Sequence, residues 1–260
     1  MIINAIILGI IEGLTEFLPI SSTGHLILAN KYISFTGDFA NVFDVVIQIG
    51  AILAVIVYFK DKLIPSFSKT DNIRNYYDLW IKVAIGFIPA GILGFLFEKH
   101  IDKYLFNPVS VSIALIFGGI LLFFAEKFVK KSSVSDTDKI SYMQAFVVGV
   151  SQCMALWPGM SRSASTIIGG LFLGFSREVA AEFSFFLAIP TLIGASVFKL
   201  FKSGLIFTSY EWLLLSIGTI VSFVVALLVI AFFMNYLKKK DLAPFAYYRI
   251  ALGLIVLLTI

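Results

Sequence analysis

"EGLTEFLPISSTGHL", residues 12–26, decides the fold. Two carboxylates, a proline, three successive hydroxyl residues and a histidine stand here in a chain that is otherwise strongly apolar. Pro19 removes a helix hydrogen bond and clashes with the turn before it, so it breaks a helix interior. The segment therefore reads as two half-helices joined by a polar turn. Irregular backbone at membrane depth is tolerated only where protein or a wet cavity covers it.

The surroundings are those of a membrane protein. Of 260 residues, 59% are hydrophobic and 14% charged, with a mean hydropathy of +0.97. A soluble domain carries about 25% charged residues. Uncharged runs at 104–125, 140–161 and 212–237 meet the roughly 20 residues a spanning helix needs. Shorter or once-interrupted candidates lie at 42–59, 79–97, 180–198 and 242–260. These features predict an all-α polytopic membrane protein, a single integral membrane domain over 1–260, in contact with membrane lipid. The first basic residue is Lys31, so no secretory leader is expected. Cys153 is the single cysteine, which excludes an internal disulfide. The net charge of +4 does not point to nucleic acid, because the basic residues cluster in short loops between spans.

The chain resembles itself. "AIILGIIEGLTEFLPISS" (5–22) aligns without a gap on "AFVVGVSQCMALWPGMSR" (145–162), an offset of 145 − 5 = 140. Glu12 then meets Gln152 and Ser21 meets Ser161. The same offset sets "FDVVIQIGAILA" (43–54) over "FSFFLAIPTLIG" (183–194). Each half, about 1–130 and about 140–260, reads as a re-entrant broken helix pair followed by three transmembrane helices. Three is odd, so the halves are expected to be inverted-topology repeats, which place their site near mid-membrane on the broken helices. Lysines set the orientation. Lys60, Lys62, Lys69, Arg74 and Lys82, then Lys127, Lys130, Lys131 and Lys139, then Lys238, Lys239 and Lys240 mark one face, expected to be cytoplasmic, with both termini outside.

Glu12 and Glu16 are four apart and share a helix face. Each costs about 2.5–3.5 kcal/mol at a bilayer centre on insertion scales, so something cationic must offset them: a metal ion, an arginine or protons. Ser21, Ser22 and Thr23 are candidate caps for the second half-helix, whose free N–H groups also suit an anion. His25 follows Ser22 by three residues, close enough for an imidazole to reach a serine oxygen. The second break, "WPGMSRSAST" (157–166), supplies Arg162 among Ser161, Ser163, Ser165 and Thr166. Arginine suits bidentate capture of phosphate oxygens, and it could equally neutralise Glu12 or Glu16. Magnesium or calcium needs oxygen ligands and bridges carboxylates to phosphates, which makes Glu12 and Glu16 candidate ligands. The set describes metal-assisted phosphoryl transfer to Ser22 and then to water.

At the remaining positions the readings are structural. Gln48 is read as bonding a neighbouring helix rather than facing a cavity. Arg249 is read as snorkelling to the cytoplasmic edge. "GILGFLF" (91–97) and "IIGGLFLG" (167–174) read as packing faces, and Trp80 and Trp212 as interfacial anchors.

"EGLTEFLPISSTGH" and "PGMSRSAST" resemble the two signature stretches of the undecaprenyl-diphosphate phosphatase family, the bacitracin-resistance proteins. The resemblance extends to "FNPVSVSIALIFGG" (106–119), "SQCMALWPG" (151–159) and "EFSFFLAIP" (182–190). It implies hydrolysis of undecaprenyl diphosphate, a polyprenyl diphosphate lipid, to the monophosphate and inorganic phosphate. It implies a divalent-cation requirement, Mg2+ or Ca2+, and a site on the outer side of the bacterial cell membrane. Carried over, Glu12 and Glu16 are the acidic pair, Ser22 the nucleophile and His25 its partner. Arg162, Ser161 and Thr166 belong to the phosphate clamp, which Ser21, Thr23 and Ser163 would extend. Depletion of the diphosphate by this activity would confer bacitracin resistance.

Two alternatives stand beside this reading. The phosphohistidine lipid phosphatases need a second histidine six residues after their arginine, where this chain has Ile168. That reading is rejected, although His25 rather than Ser22 as the attacking group stays open. A polyprenyl-phosphate flippase is the other, because inverted repeats and broken helices also make transporters. A homo-oligomer is compatible with either.

Overall fold

The computed structural model describes residues 1–33, 35–65, 73–128, 132–204 and 206–259, apart from the side chains of Lys31, Asp102 and Thr259. Lys69, Lys130 and Lys131 of the orientation argument lie outside the described residues.

The polar turns of the sequence become breaks. Helix α1 (Ile2–Thr15) ends before Pro19, and α2 (Ser22–Ile33) starts just beyond it. Then come α3 (Asp38–Val46) and α4 (Gln48–Tyr58), interrupted at Ile47, and the single turn α5 (Lys60–Leu63). Two long helices, α6 (Ile73–Tyr104) and α7 (Pro108–Phe128), close the first half. The second half repeats the order: α8 (Tyr142–Gln152), a 3-10 turn (Cys153–Leu156), a break, and α9 (Arg162–Phe172). After it run α10 (Arg177–Lys202), α11 (Ser209–Leu237) and α12 (Ala243–Thr259). Among the described residues there is no strand, only an isolated bridge between Val134 and Phe175. Five helices are long and apolar enough to cross a membrane, counting α3 and α4 as one. The fold class is therefore all-α, as the composition requires. The last span is shorter than expected, at 17 residues.

Local chemistry sets the helix starts. Ser141 forms a reciprocal capping box with Gln144, as Thr208 does with Glu211; each satisfies two N–H groups that a helix start leaves bare. The uncharged run at 104–125 does not form one helix. The Asn107 side chain accepts from Ser110 N at 2.9 Å, and Pro108 occupies the first helical position, where its missing N–H costs nothing.

The halves pack across one another. Helix α1 lies on α11 and α8 lies on α6, while α7 lies on α12. Glycines permit the crossings: a side chain at Gly149 would strike the Gly86 backbone, and a Cβ at Gly9 would fall 2.7 Å from the Gly218 carbonyl. Two apolar cores result. One joins Ala5 and Leu8 of α1 to Leu26, Phe43 and the start of α11 at Leu214. The other joins Ala145 and Val148 of α8 to Leu79, Ile140 and Phe175, and to Leu237 at the end of α11.

Ion pairs gather the loops at this second end. Lys62 binds Glu182 at 2.6 Å, Lys82 binds Asp78 at 2.5 Å, and Arg177 pairs with Glu126. Glu126 also accepts from Leu242 N at 3.1 Å. Lys82, taken from the sequence as a loop cation, is buried inside α6 and neutralised by Asp78.

Candidate active site

The two breaks share one backbone device. Ser21 and Ser161, related by the offset of 140, are the only non-glycine residues with positive φ among those described, at 73° and 68°. Such left-handed conformations cost about 1–3 kcal/mol each and persist where the surroundings enforce them. Each serine then caps the following half-helix. Ser21 Oγ accepts from Gly24 N at 3.3 Å, and Ser161 Oγ accepts from Ala164 N at 3.2 Å. Two helix starts, each with free N–H groups and the positive end of a dipole, thus meet at one cavity.

That cavity has a volume of about 800 Å³. At its polar end lie Glu16, Ser21, Ser22, Thr23, Ser161 and Arg162. Away from them the wall is apolar, built by Phe87 and Phe95 of α6 and by Leu192 and Phe198 of α10. Glu98 and Lys199 line it near the ends of these two helices, opposite the end where Lys62 meets Glu182.

Glu16 links the two breaks. Ser22 Oγ donates to Glu16 Oε2 at 2.5 Å, and Arg162 Nη2 donates to Glu16 Oε1 at 3.0 Å. Both partners of the Glu16–Arg162 ion pair are buried. Arg162 Nη1 is occupied by Ser184, donating to its carbonyl at 2.9 Å and its hydroxyl at 3.2 Å. Arg162 Nε is buried and has no protein partner. The guanidinium is therefore a fixed cation, and Glu16 is the one of the two candidate acids that it pairs with. Glu12 is 0% exposed, its two oxygens have no hydrogen-bond partner, and the charges of Glu16, Asp44 and Arg162 act on it.

Three sequence expectations change here. His25 does not bond Ser22. Its Nδ1 meets the Ser21 carbonyl at 2.7 Å and its Nε2 meets the Tyr248 hydroxyl at 2.7 Å, with the two rings stacked. One turn of helix brings imidazole near the serine, but Tyr248 of α12 draws it aside, and Glu16 takes the place facing Ser22. Ser163 and Thr166 do not line the cavity. Ser163 Oγ donates to the Leu18 carbonyl at 2.9 Å, tying one break to the other. Thr166 Oγ1 donates to Arg162 O at 2.9 Å and lies 2.7 Å from Ser184 Oγ, so it acts on the cavity only through the groups that hold Arg162.

Other residues take places that their sequence context does not announce. Gln48 lines the cavity instead of bonding a neighbouring helix. Gly91 and Gly94 line the cavity, Gly94 packing also against Leu156, and Gly169 and Gly170 pack against Ser151 and Phe175. Asp44 lines the cavity with Oδ1 unpartnered while Oδ2 accepts from Asn30 at 2.5 Å. Gln152 also lines it, buried, with both amide atoms unpartnered. The repeat alignment pairs Gln152 with Glu12, which was the one sequence signal for it.

Arg249 departs furthest from its reading. It is 0% exposed and does not snorkel. Its guanidinium donates to carbonyls of Pro19 at 3.2 Å, Gly159 at 3.0 Å and Met160 at 2.8 Å. It reaches Ala114 and Leu115 of α7 at 3.4 Å. Gly118 leaves the room, since a side chain there would strike the guanidinium.

The chain resembles proteins of known name along its whole length. It is 52% identical to undecaprenyl-diphosphatase 1 of Clostridioides difficile over 98% of this chain and 95% of that protein. It is 51% identical to an undecaprenyl-diphosphatase of Caldanaerobacter subterraneus, over 100% of this chain and 96% of that one. An Enterococcus faecalis undecaprenyl-diphosphatase is 48% identical, over 99% and 96%. The family model described as bacitracin resistance protein BacA matches residues 5–255, and the chain belongs to that family.

Proposed function

We propose that this protein hydrolyses undecaprenyl diphosphate to undecaprenyl phosphate and inorganic phosphate, in the cell membrane of a bacterium. The observation that carries the reading is the chain Ser22–Glu16–Arg162, which joins the two breaks in one cavity with an apolar extension. Relatives of that name along the full length agree with it.

In this reading the terminal phosphate rests against the two helix starts and the Arg162 guanidinium. Ser22 Oγ attacks phosphorus and passes its proton to Glu16 Oε2. The bond to the bridging oxygen breaks, and undecaprenyl phosphate leaves. Water then cleaves the phosphoserine, giving inorganic phosphate and restoring Ser22. Arg162, held by Ser184 and Glu16, steadies the charge on the equatorial oxygens. The residues fit a hard divalent cation. Glu12 offers two buried oxygens without protein partners, beside Glu16. Among the described residues no group of three or more His, Cys, Asp and Glu is placed to hold a metal, so phosphate and water oxygens would complete the six or more ligands such ions take. Bound there, magnesium or calcium would neutralise charge on the phosphoryl oxygens.

The prenyl tail would lie along the apolar wall between α6 and α10. Gly194 of α10 lines that wall, and a side chain added there meets no atom within 4 Å. Gly194→Leu should therefore raise KM for undecaprenyl diphosphate about tenfold, within the 10–200-fold that one pocket group commands. Farnesyl diphosphate should be nearly unaffected, and equal effects on both substrates would count against this path for the tail.

The two halves would insert in opposite senses, because α1 shares its core with the start of α11 and α8 shares its core with the end. With the lysine-rich end cytoplasmic, the cavity faces outward. The fold alone would also suit a lipid flippase, which the names of the relatives do not favour. Purified protein in detergent has no leaflets, so phosphate release there requires an enzyme. We expect release that stops with EDTA and returns with magnesium. No release under any cation would overturn the reading, and release indifferent to EDTA would remove the metal from it.

A further inference from the structure

We propose that Arg249 is a positioning residue for this reaction: its guanidinium clamps the two breaks to each other and so sets the register of Ser22 and Glu16 against Arg162. The inference rests on the hydrolase reading above.

A break in a helix strips carbonyls of their partners, and buried bare carbonyls are costly. Here one side chain satisfies those of both breaks. Nη1 binds Pro19 O, and Nη2 binds Gly159 O and Met160 O. Pro19 and Gly159 are themselves repeat mates, since 159 − 19 = 140. Ser21 and Ser22 follow Pro19 after one residue, Ile20, and Ser161 and Arg162 follow Met160. The guanidinium therefore stands at equivalent points of the two halves, just upstream of the nucleophile in one and of the clamp in the other. Its remaining bonds run to Ala114 and Leu115, which anchor it to α7.

Arginine is required for geometric reasons. No carboxylate of a described residue pairs with Arg249, so its role is not charge neutralisation. Burying a cation costs several kcal/mol, and five carbonyl acceptors offset that cost only if the planar fork spreads across both breaks. An ammonium presents donors from one point and can serve one break at a time. A neutral amide has two N–H donors, too few for the carbonyls of both breaks and of α7.

The test uses Gly118→Ala, which keeps Arg249 and its charge but pushes the guanidinium off the breaks. Alanine suits a helix better than glycine, so α7 itself should hold. Arg249→Lys carries the same readouts if Gly118→Ala does not fold. In detergent, with thermal stability measured alongside, we expect kcat on undecaprenyl diphosphate to fall about 10–100-fold, as small misplacements do. KM should stay within about threefold, because tail and cation contacts are untouched. Combining either change with Arg162→Lys should add less than about threefold, since register matters little once the clamp is gone. Wild-type kcat in both variants overturns the inference. So does full additivity with Arg162→Lys, or a loss that appears only in KM or in thermal stability. Wild-type protein that releases no phosphate would instead strike at the hydrolase reading, so the two failures are distinct.

Discussion

Glu16→Gln should lower kcat by about 10³-fold, within the 10²–10⁴ that a positioned general base contributes. Glu16 bonds both Ser22 and Arg162, one with each carboxylate oxygen. Glutamine has the same shape but only one accepting oxygen. Arg162 cannot face an amide NH2, so the amide oxygen must turn toward the guanidinium. The NH2 then points at Ser22 and donates to it, which reverses the hydrogen bond. Ser22 keeps its place and loses the group that takes its proton. KM should change little, because the helix starts and the apolar wall remain. The measurement is steady-state hydrolysis in detergent at saturating magnesium. Retention of more than about a tenth of wild-type kcat would show that Glu16 is not the base.

Arg162→Lys is the second large effect, expected at about 10²–10³-fold in kcat, the range for loss of one preorganised donor to a charged transition state. The wild-type guanidinium does three things at once. It pairs with Glu16, holds Ser184 through two bonds, and lines the cavity. An ammonium can keep the pair with Glu16, so the fold should survive. Removing the cation altogether would cost about 3–5 kcal/mol by stranding a buried carboxylate. Lysine cannot also hold Ser184 and present a donor in the same plane. Near-normal hydrolysis by Arg162→Lys would reduce Arg162 to a counter-ion for Glu16.

Much of the architecture was legible because it is written in local chemistry. Pro19, Pro158 and Gly159 mark the breaks, and the offset of 140 brings Ser21 onto Ser161. The structure gives these serines the same strained backbone and the same capping bond. An acid–arginine pair was among the neutralisations that charge allowed, since an unpaired charge in lipid must find a partner.

What stayed hidden lay in long-range direction. Helical spacing put His25 beside Ser22, but its ring bonds the Ser21 carbonyl and Tyr248, 223 residues away. Ser163 and Thr166 looked like phosphate donors by type, and the acceptors that engage them are mostly backbone carbonyls. Arg249 shows the same limit most plainly. Its position near the start of the last helix matches a snorkelling residue, and every one of its partners is a main-chain carbonyl. Every residue carries such a carbonyl, so no sequence pattern announces the binding site. Only the fold shows that the breaks expose theirs to the same point.

The claim on which the chemistry depends is that Ser22 carries the phosphoryl group between the diphosphate and water. Purified protein should be mixed with undecaprenyl diphosphate labelled in the terminal phosphate, quenched within one turnover, digested and mapped. The label is expected on the peptide containing Ser22, at Ser22 itself, and absent from Ser22→Ala. Label on His25 instead, or a Ser22→Ala protein that still turns over near the wild-type rate, would contradict the account.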